Sequence, residues 1–262
     1  MNNSIICSTC GTYYAAATVP ALCPTCLDER QYIPVTGQSW TRQEDVLRKH
    51  SVKIYQLQDQ LYELEINPMF AIGQRALFIL SDKGNILWDC IPLLDEATIA
   101  FIKSKGGLKA IAFSHPHYYS NMNEWAEVFD CPVYIHQNDE VHITDKGRHV
   151  HLWEGDELNL WDGMKLHCIG GHFAGSSLIH VPFLSAEGTI ICGDTLFLSP
   201  GKKHFSVCYS YPNKMPLPLT EMQRIRKRLD AIPFDSFYGY QSIQNLDKEV
   251  KAILAASMDR YV

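Results

Sequence analysis

Cys7-x-x-Cys10 and Cys23-x-x-Cys26, twelve residues apart, constrain this chain more than any other feature. Each pair makes a tight turn that offers two thiolates to one ion, and Gly11 after the first pair lets the backbone fold back. Residues 1–35 cannot pack a core alone, so a zinc ion is expected to supply their folding free energy, on the order of 10 kcal/mol. Four sulfur ligands (Cys7, Cys10, Cys23 and Cys26) leave no open coordination position, so this one zinc is structural.

With 262 residues and 46% hydrophobic content, the chain has material for one large core and a small appendage. The expected division is a zinc module with its linker at 1–40 and a main domain at 41–262. A net charge of -6 argues against sequence-independent nucleic-acid binding, which needs a basic field. The small module fits bracing, or contact with a protein partner or a second copy of the chain, better than nucleic-acid binding. No apolar run approaches the roughly 18 residues of a membrane span, and the start MNNSIICSTCG carries no secretory pattern, which makes the cytoplasm the expected compartment. The remaining cysteines, Cys90, Cys131, Cys168, Cys192 and Cys208, sit among apolar neighbours and read as small core side chains.

Along the main domain, Thr41 and Glu44 form a capping-box pattern for a helix through about His50. Alternating segments at about 53–66, 76–81 and 85–90 read as an antiparallel meander. A helix is expected at 94–105, ended by Gly106-Gly107, then a buried strand at 109–114 that delivers His115. Ser120 is a candidate cap for a helix to Phe129. Further strands are expected at 132–137, 149–153, 157–168, 177–183 and 188–193, and helices at 220–232 and 245–261. Segregated strands with covering helices suggest an α+β fold, an αβ/βα four-layer sandwich. Arg224, Arg226, Lys227 and Arg228 lie on a helix with an apolar stripe and read as its solvated face.

His115-Pro116-His117 presents two imidazoles that, in extended backbone, project to one side and can share an ion. GGHFAGSS follows at Gly170–Ser176 and beyond, and Gly193-Asp194-Thr195 comes later, each where a strand enters a loop. In this order the motifs resemble the metallo-β-lactamase-fold superfamily, including its glyoxalase II-like hydrolases, over about residues 50–262. The N-terminal segment resembles a zinc ribbon or rubredoxin-like knuckle pair.

The first resemblance implies His115, His117, His172 and Asp194 as ligands of one zinc, iron or manganese ion. The family pattern H-x-H-x-D-H supplies a second site, but Tyr119 and Ser120 stand at its aspartate and histidine, and Tyr240 at its late histidine. A single ion is therefore expected, activating water for hydrolysis of a small ester, thioester or lactone. Asp194 is the expected proton acceptor, Tyr119 a candidate catalytic hydrogen-bond donor, and Tyr118 and Tyr240 candidate substrate contacts. The alternative is a non-catalytic binding or scaffold protein that keeps the fold and the structural zinc.

Overall fold

The computed structural model describes residues 4–261, which divide into two compact units. Of the described residues, one comprises 4–134 and 142–151, the other 135–141 and 152–261. Among the described residues no helix is long and apolar enough to cross a membrane.

In the first unit, strand Ser4–Cys7 pairs on one side with Tyr13–Ala15 and on the other with Trp40–Arg42, making a small antiparallel sheet behind the cysteine turns. The Thr41 capping box does not form. Thr41 pairs with Ile6 in this sheet, and helix Gln43–Lys49 starts from Arg42 with no side-chain cap. The pull of a third strand outweighs one capping bond, and Glu44 lies 3.4 Å from Arg48 on the helix surface instead.

The larger sheet has seven strands, in the order Ser51–Gln58, Leu61–Asn67, Ala76–Ile79, Ile86–Trp88, Ala110–Ala112, Val133–His136 and Val150–Trp153. The run expected at 53–66 is two strands reversing at Asp59-Gln60, so its alternation belongs to a hairpin. Leu61, Leu64, Phe78, Ile79 and Leu87 are fully buried. Glu63 sits among them because Arg75 meets it at 2.7 Å, with both side chains 2% exposed. Charges taken this far from water persist only when paired.

From Ile86–Trp88 the chain crosses through helix Glu96–Ser104 to the parallel strand Ala110–Ala112. Asp95 caps that helix, its Oδ1 accepting from the Thr98 N–H at 2.8 Å. The next helix, Met122–Phe129, is not capped by Ser120, whose hydroxyl turns back toward the Tyr118 carbonyl and the Asn121 side chain.

The second unit carries a six-stranded sheet ordered Glu157–Asn159, Lys165–Cys168, Ser177–Val181, Thr189–Cys192, Ser236–Tyr238 and Asn245–Leu246. The single strand expected at 157–168 is a hairpin, because Asp162 and Gly163 take positive φ and reverse the chain. The terminal helix is shorter than expected. Asn245–Leu246 pairs with Phe237 and Tyr238, and the helix runs only Val250–Met258.

Helix Leu219–Asp230 buries Met222, Ile225 and Leu229 on a core that includes Leu178, Ile190, Phe205 and Phe237. Three of its basic residues are matched by carboxylates: Arg224 by Glu221 at 2.7 Å, Arg226 by Asp259 at 2.6 Å and Arg228 by Asp156 at 2.5 Å. Of the five cysteines outside the first turns, four are buried and Cys208 is half-buried.

Candidate metal centres

The four N-terminal cysteines converge. The Sγ atoms of Cys7 and Cys26 are 3.6 Å apart and those of Cys10 and Cys23 are 3.5 Å apart, all four side chains being buried. Tetrahedral zinc thiolates, with bonds of about 2.3 Å, space their sulfurs at roughly 3.8 Å, so the cage fits one such ion. Backbone turns hold each pair, with Gly11 N–H donating to the Cys7 carbonyl at 2.9 Å and Cys26 N–H to the Cys23 carbonyl at 3.0 Å. Gly11 has φ of 83°, and an added Cβ would press on Pro92 at 2.7 Å.

Donors already point at the sulfurs. Gln38 Nε2 donates to Cys7 Sγ at 3.2 Å, and the Tyr14 hydroxyl lies 3.2 Å from Cys23 Sγ. Hydrogen bonding to Cys10 holds the Cys23 thiol down at about 6 and likewise lowers Cys7. The sulfur contacts lift Cys10, mainly through Cys23, and Cys26, mainly through Cys10. Four adjacent thiolates cannot all carry charge unless a cation neutralises them.

The histidine pair sits at the end of strand Ala110–Ala112. The expectation of an extended His-Pro-His segment is corrected: His115 is extended, but Pro116–Tyr118 is a single 3-10 turn. Proline is pre-set for such a turn's first position, and the turn still brings the two imidazole centroids to 5.0 Å. Both rings are buried, and Tyr118 covers His115 at 4.2 Å.

Hydrogen bonding fixes which nitrogen of His115 faces outward. The Ser114 hydroxyl donates to Asp89 Oδ1 at 2.9 Å, so its oxygen accepts the Nδ1 proton of His115 at 2.8 Å. Asp89 also accepts the Ser114 N–H at 2.8 Å, holding the relay rigid. That leaves the Nε2 lone pair of His115 available to an ion.

His172 reaches the same state by another route in the second unit. Gly170 and Gly171 have φ of 72° and 89°, and a Cβ on Gly171 would meet Ile225 at 2.8 Å. The loop is pinned by Ser176, which accepts the Phe173 N–H at 2.8 Å, and by buried Asp139, which accepts the Gly175 N–H at 2.7 Å. The Tyr209 carbonyl lies 2.8 Å from His172 Nδ1 and can only accept, so the proton is on Nδ1. His172 Nε2 then faces Asp194 Oδ2 at 3.6 Å.

One ligand atom from each of His115, His117, His172 and Asp194 lies within 4.8 Å of the others. Imidazole and carboxylate suit zinc, iron or manganese, and both fixed tautomers present an unprotonated Nε2, so the donor set fits an ion. Tyr119 packs its ring on Phe113 at 5.2 Å. Around Asp194, the Tyr240 hydroxyl is pushed up to about 12 by burial and by the carboxylate. Tyr211, 6.0 Å from the His172 ring, is likewise raised well above its ordinary value by burial and by Asp194. Tyr211, Ser114 and Asp89 carry no motif, and only the folded chain brings them here.

Residues 71–221 match the family model of the metallo-beta-lactamase superfamily. The chain is 39% identical over 253 residues to an uncharacterised Bacillus subtilis (strain 168) protein, YmaE, covering 94% of this chain and 92% of that one. Solved structures share the fold at low identity. FIM-1 from Pseudomonas aeruginosa in its mono-zinc form matches with a TM-score of 0.57 at 12% identity, over 80% of this chain and 95% of that one. TTHA1623 in a di-iron-bound form matches with a TM-score of 0.53 at 20% identity, over 69% and 93%. The expected fold is thus found, and the chain belongs to the metallo-beta-lactamase superfamily.

Proposed function

We propose that the protein is a metal-dependent hydrolase of a small ester, thioester or lactone, with His115, His117, His172 and Asp194 as ligands of one ion. The observation that carries this reading is the pre-set tautomer of His115 and His172, each held by an acceptor on Nδ1. With the proton on Nδ1, each ring offers an unprotonated Nε2, the form in which imidazole ligates a metal. A bound ion supplies Lewis acidity, lowering the pKa of water toward about 7 and polarising a carbonyl.

The protein's own groups do the rest. Asp194 takes the proton lost by the attacking water on a carboxylate oxygen. Tyr240 stays protonated to about pH 12, so it is available as a donor to a developing oxyanion or to the substrate. Tyr119 is the candidate donor beside the histidine pair, and Tyr118 sets the wall behind His115. Tyr119 and Ser120, in place of a second carboxylate and imidazole, favour one ion over two. The carboxylate partners of the basic helix residues favour a small substrate over a nucleic acid.

We also propose that the cysteine cage holds a structural zinc. Metal analysis together with a panel of model thioesters, esters and lactones tests both readings. The expected result is about two ions per chain, one of them and all hydrolysis lost in His117→Ala. A chain that holds only the cysteine-bound ion and hydrolyses nothing would establish the binding or scaffold role instead.

A further inference from the structure

We propose that the first unit carries a further ligand site, a pocket for a small organic ammonium ion between the cysteine module and the helix that follows the histidine pair. A cavity of about 460 Å³ is lined by strand Tyr13–Ala15 on one side and by the start of helix Met122–Phe129 on the other. Small-molecule pockets run from roughly 300 to 1,000 Å³, so this one is large enough for such a ligand. The Tyr13 N–H donates to the Ser120 carbonyl at 3.3 Å, which ties the two walls together. None of His115, His117, His172 or Asp194 lines the cavity, so the site stands independently of the hydrolase reading.

Charge sets the sign of the ligand. Glu124 and Asp145 line the cavity, and no lysine, arginine or histidine does. Both oxygens of Glu124 accept from neutral amides, Oε1 from Gln43 Nε2 at 2.5 Å and Oε2 from Asn121 Nδ2 at 3.0 Å, so the carboxylate is held in place and keeps its charge. The helix start contributes about half a positive charge against these two formal negative ones. Its Met122 and Glu124 N–H groups already donate to the Tyr119 and Asn121 carbonyls, at 2.8 and 2.9 Å. The Glu124 charge also reaches Tyr13, whose hydroxyl is held well above its ordinary value by burial first and by that carboxylate second. A cation is favoured over an anion.

The rest of the lining selects an organic cation over a metal ion. Tyr13 and Tyr119 bring aromatic surface: the Tyr13 hydroxyl is committed to the Pro92 carbonyl at 3.2 Å, and the buried Tyr119 ring is braced on Phe113 at 5.2 Å. Met122 and the alanines at 15–17 add apolar surface. Aromatic rings beside a carboxylate attract ammonium groups through their π faces, and apolar walls suit the carbons such a group carries. A hydrated metal ion gains nothing from them. Among the described residues, close sets of three or more metal donors occur only in the cysteine cage and at the histidines.

Titration of the zinc-loaded full chain with choline, followed by the amide NMR shifts of residues 15–17 and 121–124, tests the assignment. Choline should bind saturably there, and its uncharged isostere 3,3-dimethyl-1-butanol at least about 10-fold more weakly. Raising salt from about 0.05 to about 0.5 M should weaken choline alone. Glu124→Gln should lower choline affinity about 10-fold and leave the isostere unchanged, with Asp145→Asn giving a smaller loss in the same direction. No saturable choline shift at these amides would overturn the proposal. So would equal binding of choline and the isostere by the parent chain, a comparison that needs no variant to fold.

Discussion

The two candidate metal sites are built by opposite strategies. In the cysteine cage all four donors come from one short stretch, Cys7 to Cys26, and two backbone turns aim them. In the histidine site the donors come from three separate loops, and hydrogen bonds aim two of the imidazoles: Asp89 holds His115 through the adjacent Ser114, and the Tyr209 carbonyl, 37 residues away, holds His172. A local cage has little structure of its own and depends on its ion for folding. Donors placed at strand ends are carried by sheets with cores of their own, so they do not rely on an ion for their folding.

Removing one cage ligand should therefore have the largest effect. Cys26→Ser is expected to forfeit most of a zinc contribution on the order of 10 kcal/mol to the module. Limited proteolysis should then cut among residues 4–42 while leaving the two large sheets intact. Uniform resistance across the chain would show that the module stands without its ion, and the contrast would break.

In the first unit, breaking the buried Glu63–Arg75 pair tests how much rigidity the larger sheet supplies. Arg75→Met should cost about 3–5 kcal/mol in urea unfolding, since it strands a buried carboxylate. The double variant Glu63→Leu/Arg75→Met should recover most of that loss. Zinc content of the cage should not change in either.

Ser114→Ala removes the link between Asp89 and His115 without touching a ligand. Zinc affinity of the histidine site should fall about 10- to 100-fold, read by chelator competition, with unfolding midpoints little altered. Unchanged affinity would mean that strand geometry alone aims His115.

The smallest expected effect is on pH dependence in the second unit. Burial holds His167 down at about 4, so its folded form takes up a proton later than the unfolded chain does. Stability is full above the ordinary value of 6.5 and should fall as pH drops from 6.5 toward 4, by on the order of 2 kcal/mol. His167→Leu should flatten that slope in denaturant titrations between pH 4 and 7.

Much of this was legible in the sequence where chemistry and spacing coincide. Two cysteine pairs state a cage, and His115, His117, His172 and Asp194 lie at the strand ends where their motifs place them. Local cues misled where a neighbouring element had a stronger claim. Thr41 resembled a helix cap and became a strand residue, because pairing with Ile6 completes a sheet. Leu158 and Leu166 looked like one strand until Asp162 and Gly163 folded them face to face. The His-Pro-His turn shows the third case, in which the rings meet as expected but through a 3-10 turn rather than an extended run.

By itself the sequence determined which donors this protein owns and, through glycine, proline and knuckle spacing, where the chain turns to present them. Tertiary structure alone decided how each donor is oriented. Nothing in the spacing of a serine, an aspartate or a tyrosine carbonyl says that it will lie against an imidazole. A ring nitrogen's proton is assigned only when folding brings an acceptor against it or, as with Ser114 beside His115, orients a neighbouring hydroxyl to accept it.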